Sequence, residues 1–385
     1  MDIVNILIAT NSHKDFASSK QIGESLKEGL SSVKGNIQIK ILPIGDGGEG
    51  TIEALISSKN GYVKNCRVHD GLFGEKEAGI GLYNDGVKTA VIEIAQASGS
   101  SILLPEERNT MIATSYGTGE LILSAMDEGC DRIIIGLGGS IVSDGGMGMA
   151  QALGAVFLDK DGKRLVPVNN KGFNVLSLLF ISDIDLPGLD TRISNKEIIA
   201  AADVRTRLLG PLGQARTFGP QKGATPAQIE FIESSLSNWN EVLKKTFGRD
   251  FNVNYSGAAG GLGSGISAFL NGKLELGIER ILKEIGFKAL LEWADVVVTG
   301  EGKLDSTSLQ GKGSLVIARK VKKFGKKVIG VFGIIEDSHY ELTNLYDHVI
   351  IANKDGMDVN EVEFKRTIGY QQIKEAGIAL AKYFS

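Results

Sequence analysis

Acids and hydroxyls recur beside paired glycines along this chain. The runs are Asp46-Gly47-Gly48-Glu49-Gly50, Gly138-Gly139-Ser140, Ser143-Asp144-Gly145-Gly146, Gly260-Gly261-Leu262-Gly263-Ser264-Gly265 and Gly300-Glu301-Gly302. Glycine admits φ > 0 and lets a ligand approach the main chain. Carboxylates beside exposed N–H groups suit a metal–phosphate substrate. Of 385 residues 50 are glycine, well above the usual ~7%. Five such loops in one chain predict a phosphoryl-transfer cleft.

Each loop has two readings. Gly138, Gly139 and Ser140 follow an apolar run, and a helix is expected from Met147. The N–H groups and positive dipole end of that helix would seat an anion; alternatively Asp144 simply caps it. Asp46, Gly47, Gly48 and Glu49 offer a carboxylate pair for a substrate hydroxyl or Mg²⁺, or else an N-cap acid with turn glycines. From Gly300 to Lys312, two acids (Glu301, Asp305), two lysines and three hydroxyls crowd a short stretch. It is not a Walker A loop, because Gly313 follows Lys312 where Ser or Thr should stand. Asp203 closes a strand and could accept the proton of an attacking hydroxyl, or pair with Arg205. Lys222 lies in a Gly-Pro-Gln-Lys-Gly turn. Lys14, after Ser12 and His13, could bind a carboxylate or phosphate. The 260–265 run lacks a preceding strand and is discounted as a dinucleotide fingerprint.

These loops must be positioned by alternating elements. Short, mostly β-branched apolar runs at 5–9, 37–44, 132–137, 198–201, 295–299, 327–332 and 348–352 read as parallel strands. Helical spacing appears at 19–30, 110–128, 147–153, 226–245, 274–285 and 314–323. Alternation of this kind means α/β. Residues 64–98 instead read as antiparallel strands with turns at Asp70-Gly71 and Asn84-Asp85-Gly86. The first two strands and the last three would form a five-stranded doubly wound sheet, with a second, mixed α/β domain inserted into it. The expected division is 1–47 plus 290–385 against 48–289, with ligands at the carboxyl ends of strands and the active site in the cleft between the domains. Residues 160–190 read as an irregular surface excursion.

Composition removes other classes. Net charge is −4, leaving no basic excess for a nucleic-acid backbone. Two cysteines and four scattered histidines make no zinc motif or disulfide framework. The opening MDIVNILIAT lacks the basic start of a signal peptide, and no apolar run approaches the ~18 residues of a membrane span. A cytoplasmic location and no membrane partner are expected.

Taken together, the loops resemble the type I glycerate kinase family. The matching segments are Ser12 to Lys14, Asp46 to Gly50, Gly117 to Glu120, Gly138 to Ser140 with Asp144 to Gly148, Asp203 to Arg205 with Leu209 to Pro211, Phe218 to Ala224, Gly257 to Gly263, and Thr299 to Asp305. Phe-Gly-Pro-Gln-Lys-Gly-Ala and Asp-Gly-Gly-Met-Gly-Met-Ala-Gln-Ala-Leu-Gly are long and specific. The resemblance implies a flavodoxin-like domain and ATP- and Mg²⁺-dependent phosphorylation of D-glycerate to 2-phosphoglycerate. A small-molecule substrate is the implied partner, and a homodimer is left open. Within that frame Asp203 is the base; Lys14, Arg205 and Lys222 are the anion-neutralising cations; Asp46, Glu49 and Glu301 position Mg²⁺ or a hydroxyl.

Several positions depart from the family's pattern. Asn11 stands for Asp and His13 for Phe. Ile141, Val142 and Ser143 replace Ala-Thr-Asn, Thr206-Arg207 replaces Asn-Pro, and Thr307 stands for Gln. If these line the cleft, a changed hydroxy-acid acceptor or a non-catalytic binding protein is the alternative; otherwise they are ordinary divergence.

Overall fold

The computed structural model describes residues 3–13, 16–32, 36–101, 107–167, 171–305, 308, 313–353, 357 and 367–384. In chain order the strands are β1 Val4–Ile8, β2 Ile37–Ile41, β3 Tyr62–His69, β4 Glu75–Asn84, β5 Lys88–Glu93, β6 Arg132–Gly136, β7 Val156–Leu158, β8 Asp183–Asp185, β9 Glu197–Ala202, β10 Lys273–Leu276, β11 Val296–Leu304, β12 Lys327–Ile335 and β13 His348–Ile351. The chain divides into two compact units. One is Met1–Asp46 with Glu53–Ser58 and Ile278–Ser385; the other is Gly47–Ile52 with Lys59–Gly277.

The first unit is built on a parallel sheet of order β13-β12-β11-β1-β2. Renumbered within the unit, that is 2-1-3-4-5 read from the other edge, the flavodoxin-like order. Ile6 and Ile8 of β1, Val296 and Val298 of β11, and Ile329 and Val331 of β12 bury one face against Ile22, Leu26, Ile373 and Leu380. Those residues come from helices Ser19–Ser31 and Gly369–Phe384. The first helix starts at a Ser18/Gln21 capping box, which satisfies two of its orphan groups. The two helices approach so closely that a Cβ on Gly29 would come within 2.0 Å of the Lys374 carbonyl oxygen. Helix Gly313–Lys323 packs against β11 and β12.

The second unit carries a six-stranded sheet of order β10-β9-β6-β5-β4-β3. Strands β10, β9, β6 and β5 are parallel, while β5, β4 and β3 form an antiparallel meander. Ile133 and Ile135 of β6 and Ala200 of β9 face a core that includes Trp239, Phe157 and Phe269. Trp239 stacks on Phe269 at 5.9 Å, and Phe157 meets both edge-on. Strands β7 and β8 make a small separate antiparallel pair.

Three local expectations are corrected. Residues 273–276 are strand rather than helix, because Leu274 registers with Ala200 at the sheet edge, and the helix begins at Gly277. The helix expected from residue 110 starts at Tyr116. Residues 160–190 are not merely a surface excursion: Phe173, Val175, Leu178, Ile181 and Ile184 all enter the core. The second unit runs to Gly277, and the first resumes at Ile278. Within the first unit Lys320 pairs with Glu279 at 3.2 Å and Lys40 lies 4.1 Å over the Trp293 ring. No described helix is long and apolar enough to cross a membrane.

Candidate functional site

In the second unit, parallel strands β5, β6 and β9 end side by side, with Glu93 in register with Gly136 and Gly136 with Ala201. Asp203 follows β9 directly and is half-buried, while Arg205 is exposed. The 47–48 turn lies across these strand ends. Gly138 donates its N–H to the Gly47 carbonyl at 2.9 Å. A Cβ on Gly138 would meet Gly48 Cα at 2.5 Å, and one on Gly47 would meet the Ala201 carbonyl oxygen at 2.4 Å. Glycine is required there because two backbones touch. Gly139 takes φ +77°, and Ser140 follows it. Glu49 accepts a hydrogen bond from Ser101 Oγ at 2.6 Å.

Glu93 was not singled out from sequence. It is buried at the end of β5 and accepts from the Ile52 N–H at 2.8 Å, at the start of helix Thr51–Lys59. Burial pushes its carboxyl up, and the charge of Glu49 adds to this, against the backbone bonds from Ile52 and Gly50. The signal was present: an acid closing the otherwise apolar run Val91-Ile92.

Asp144 is corrected. It is fully buried, with its carboxyl turned to protein donors. Its Oδ2 accepts from the Ser115 N–H, the Ser115 hydroxyl and the Gly148 N–H; its Oδ1 accepts from Gly146. Met147 donates to the Asp144 carbonyl, and Met149 to Ser115 Oγ. The first N–H groups of helix Met147–Ala152 are therefore occupied, so the expected anion seat is closed at that helix. Burial raises the Asp144 carboxyl pKa despite these donors.

Lys222 is buried as well. A short helical turn, Pro220–Lys222, carries it between Gly219 and Gly223, the latter at φ +81°. Its Nζ donates to the Val142 carbonyl at 2.5 Å and lies 3.5 Å from Ser140 Oγ. Burial lowers its pKa from 10.5 to about 7, partly opposed by Asp144.

The first unit has its own cluster just past the carboxyl ends of β1 and β2 and beside the middle of β11. Asn11 donates its backbone N–H to the Gly300 carbonyl at 2.9 Å and its side-chain amide to Asp46 Oδ2 at 3.2 Å. Its Oδ1 is buried without a partner among the described residues and lies at the start of helix Gly313–Lys323, 2.3 Å from where a Cβ on Gly313 would sit. Glu301, buried, accepts from Ser314 Oγ. Gly300 admits no side chain, since a Cβ would lie 1.7 Å from the Val331 carbonyl oxygen. His13 is buried, its Nε2 without a partner among the described residues, and desolvation lowers its pKa to about 4, leaving a neutral ring. Ser12 is half-buried, and so is Asp305, which caps its own turn through Ser308. Lys14, Ser306, Thr307, Gly311 and Lys312 lie outside the described residues. Oxygen donors from Asp46, Glu301 and Asn11 suit a hard cation; among the described residues no three His, Cys, Asp or Glu side chains form a cage.

The model of the glycerate kinase family matches residues 6–376. The chain belongs to that family. It is 41% identical over 336 residues to the glycerate 2-kinase of Escherichia coli (strain K12), covering 87% of this chain and 86% of that one. It is 40% identical over 352 residues to the glycerate kinase of Bacillus subtilis (strain 168), covering 91% and 89%. A crystal structure from Salmonella typhimurium LT2, carried under a provisional glycerate kinase 2 name, superposes with TM-score 0.84 at 34% identity over 99% of this chain and 98% of that one. Membership makes the protein a kinase, and a kinase uses ATP.

Within the family frame, most departures turn inward. Ile141 and Val142 are buried and cluster with Ala113. Ser143 is 0% exposed and shares a 2.7 Å hydrogen bond with Thr110. Neither the apolar pair nor Ser143 lines an opening. Asn11 differs: it borders a carboxylate, and its Oδ1 has no partner among the described residues.

Proposed function

We propose that the protein phosphorylates D-glycerate with ATP and Mg²⁺ to give 2-phosphoglycerate, in the cytoplasm. The observation that carries this reading is the convergence, at the carboxyl ends of β6 and β9, of a half-buried acid, a glycine-lined backbone turn and a buried lysine. Asp203 takes the proton of the acceptor hydroxyl as that oxygen bonds to the transferred phosphorus. Gly139 and Ser140 offer backbone and hydroxyl donors to an anion, while Gly138, its N–H held by the Gly47 carbonyl, lets the two turns touch. Lys222 supplies positive charge behind them, and Lys14 and Arg205 add the remaining cations. Asp46 and Glu301, with the Asn11 oxygen, would hold Mg²⁺, which when bound neutralises phosphate charge. Glu49, Gly47, Gly48, Gly300 and Asp305 shape the two loops.

Among the described residues, Asn11 favours a changed acceptor. An ADP-release assay with Mg·ATP against D-glycerate, L-glycerate and related hydroxy acids separates the readings. D-Glycerate turnover supports the proposal. Turnover with another acid alone moves Asn11 to a specificity role. Ligand binding without turnover would leave a binding protein.

A further inference from the structure

Lys222 is a buried lysine with no carboxylate in contact among the described residues. No Asp or Glu oxygen lies within ion-pair distance of its Nζ among the described residues; the recorded partners are a carbonyl and a hydroxyl. An ammonium has three donors, and Val142 and Ser140 account for two. Its stem is fixed: Lys222 N–H bonds to the Gly219 carbonyl, and Ala224 N–H returns to the same oxygen. A Cβ on Gly219 would meet the Ala215 carbonyl oxygen at 2.4 Å. The turn cannot swing the charge out to water without rebuilding this corner.

The charged groups around it are few. Asp144, from the 143–146 turn, acts on it at a distance while its own oxygens are taken by backbone and serine donors. Arg108 approaches through its carbonyl, 3.7 Å from where a Cβ on Gly223 would stand, and sends its Nε to the Ser100 carbonyl. An isolated charge in such a place is strongly disfavoured unless a counter-charge arrives.

We propose that anion binding at the Gly139–Ser140 turn and protonation of Lys222 are a single coupled event, the ligand supplying the counter-charge that the protein omits. This rests on the kinase reading for the identity of the anion, a carboxylate or a phosphate, but not for the coupling. In the free protein desolvation brings the Lys222 pKa to about 7. A bound anion raises it, so binding draws in a proton wherever the free lysine is neutral. The proton comes from buffer and stays on Nζ; no covalent bond changes.

Calorimetric titration of the full chain in two buffers of different ionisation enthalpy measures this uptake. The probes are Mg·ATP, D-glycerate and sulfate, with glycerol as an uncharged control. At about pH 7.5, roughly half to one proton per site should enter with whichever anion occupies the turn. Uptake with D-glycerate identifies the carboxylate; uptake with Mg·ATP or sulfate identifies the phosphate. Lys222→Arg, charged throughout, should bind with the uptake lost, and Lys222→Met should lose both uptake and most of the affinity. If Lys222→Met fails to fold, the wild-type and Lys222→Arg titrations still decide. Binding of every anion without uptake, unchanged uptake in Lys222→Arg, or no anion binding at all would overturn the proposal. Absence of turnover with uptake retained would sink the kinase reading instead.

Discussion

Asp144 and Ser115 are joined twice: Asp144 Oδ2 accepts from the Ser115 backbone N–H at 2.7 Å and from its hydroxyl at 2.8 Å. Ser115 immediately precedes helix Tyr116–Asp127, and Asp144 leads into Met147–Ala152. One buried carboxyl thus ties the starts of two helices.

Removing that carboxyl should destabilise the second unit without touching ligand contacts. Asp144→Ala would orphan four donors, for an expected loss of about 3 kcal/mol. Asp144→Asn keeps one acceptor oxygen and should lose about 1 kcal/mol. Thermal unfolding of both variants checks the order; KM for either substrate should stay near wild type in the fraction that folds.

Ser143 offers the opposite kind of test. It sits in a closed position against Thr110, so Ser143→Asn overpacks the core and should cost about 1–3 kcal/mol. Acceptor preference should not change. A switch in preferred hydroxy acid, read from relative kcat/KM, would show that this position does reach the substrate.

Asp203 is predicted to be the proton acceptor. Asp203→Ala should lower kcat by ~10²–10⁴-fold with unchanged melting temperature. Full activity in a folded Asp203→Ala protein would remove it from the mechanism.

Lys222 should shape stability with pH in a definite direction. Its pKa falls from 10.5 to about 7 on folding, so the native state disfavours the charged form. In the unfolded chain the lysine is protonated below about pH 10.4. The penalty is absent above that value, grows as pH falls, and is complete below about 7. The melting temperature of Lys222→Met relative to wild type should therefore rise from about pH 10 to about pH 7 and then level. A flat difference across that range contradicts a buried, desolvated lysine.

Sheet and helix periodicity carried the fold. Runs such as Val296-Val297-Val298 and Ile133-Ile134-Ile135 admit few readings, and the alternation of strand and helix leads to the parallel sheets observed. Pairing was harder to read for Leu274, whose four-residue strand exists only because β9 lies beside it. The glycine runs read as places where a ligand could approach the main chain; at Gly47, Gly138 and Gly300 it is another stretch of backbone that comes close. Sequence could not say which polar groups beside them face inward. Asp144 and Asp203 look alike in a string of letters, yet one is closed off by four donors and the other stands half-buried at a strand end. Burial of Lys222 was equally hidden, because a lysine in a Gly-Pro turn ordinarily points to water.

Phosphate transfer to glycerate leaves a product that can be seen directly. The most direct measurement incubates the protein with Mg·ATP and D-glycerate and follows the product by ³¹P NMR. One new phosphomonoester, 2-phosphoglycerate, is expected to form in step with ADP, and ~10²–10⁴-fold more slowly in Asp203→Ala. ATP and glycerate left unchanged, with the protein folded and both ligands bound, would contradict it.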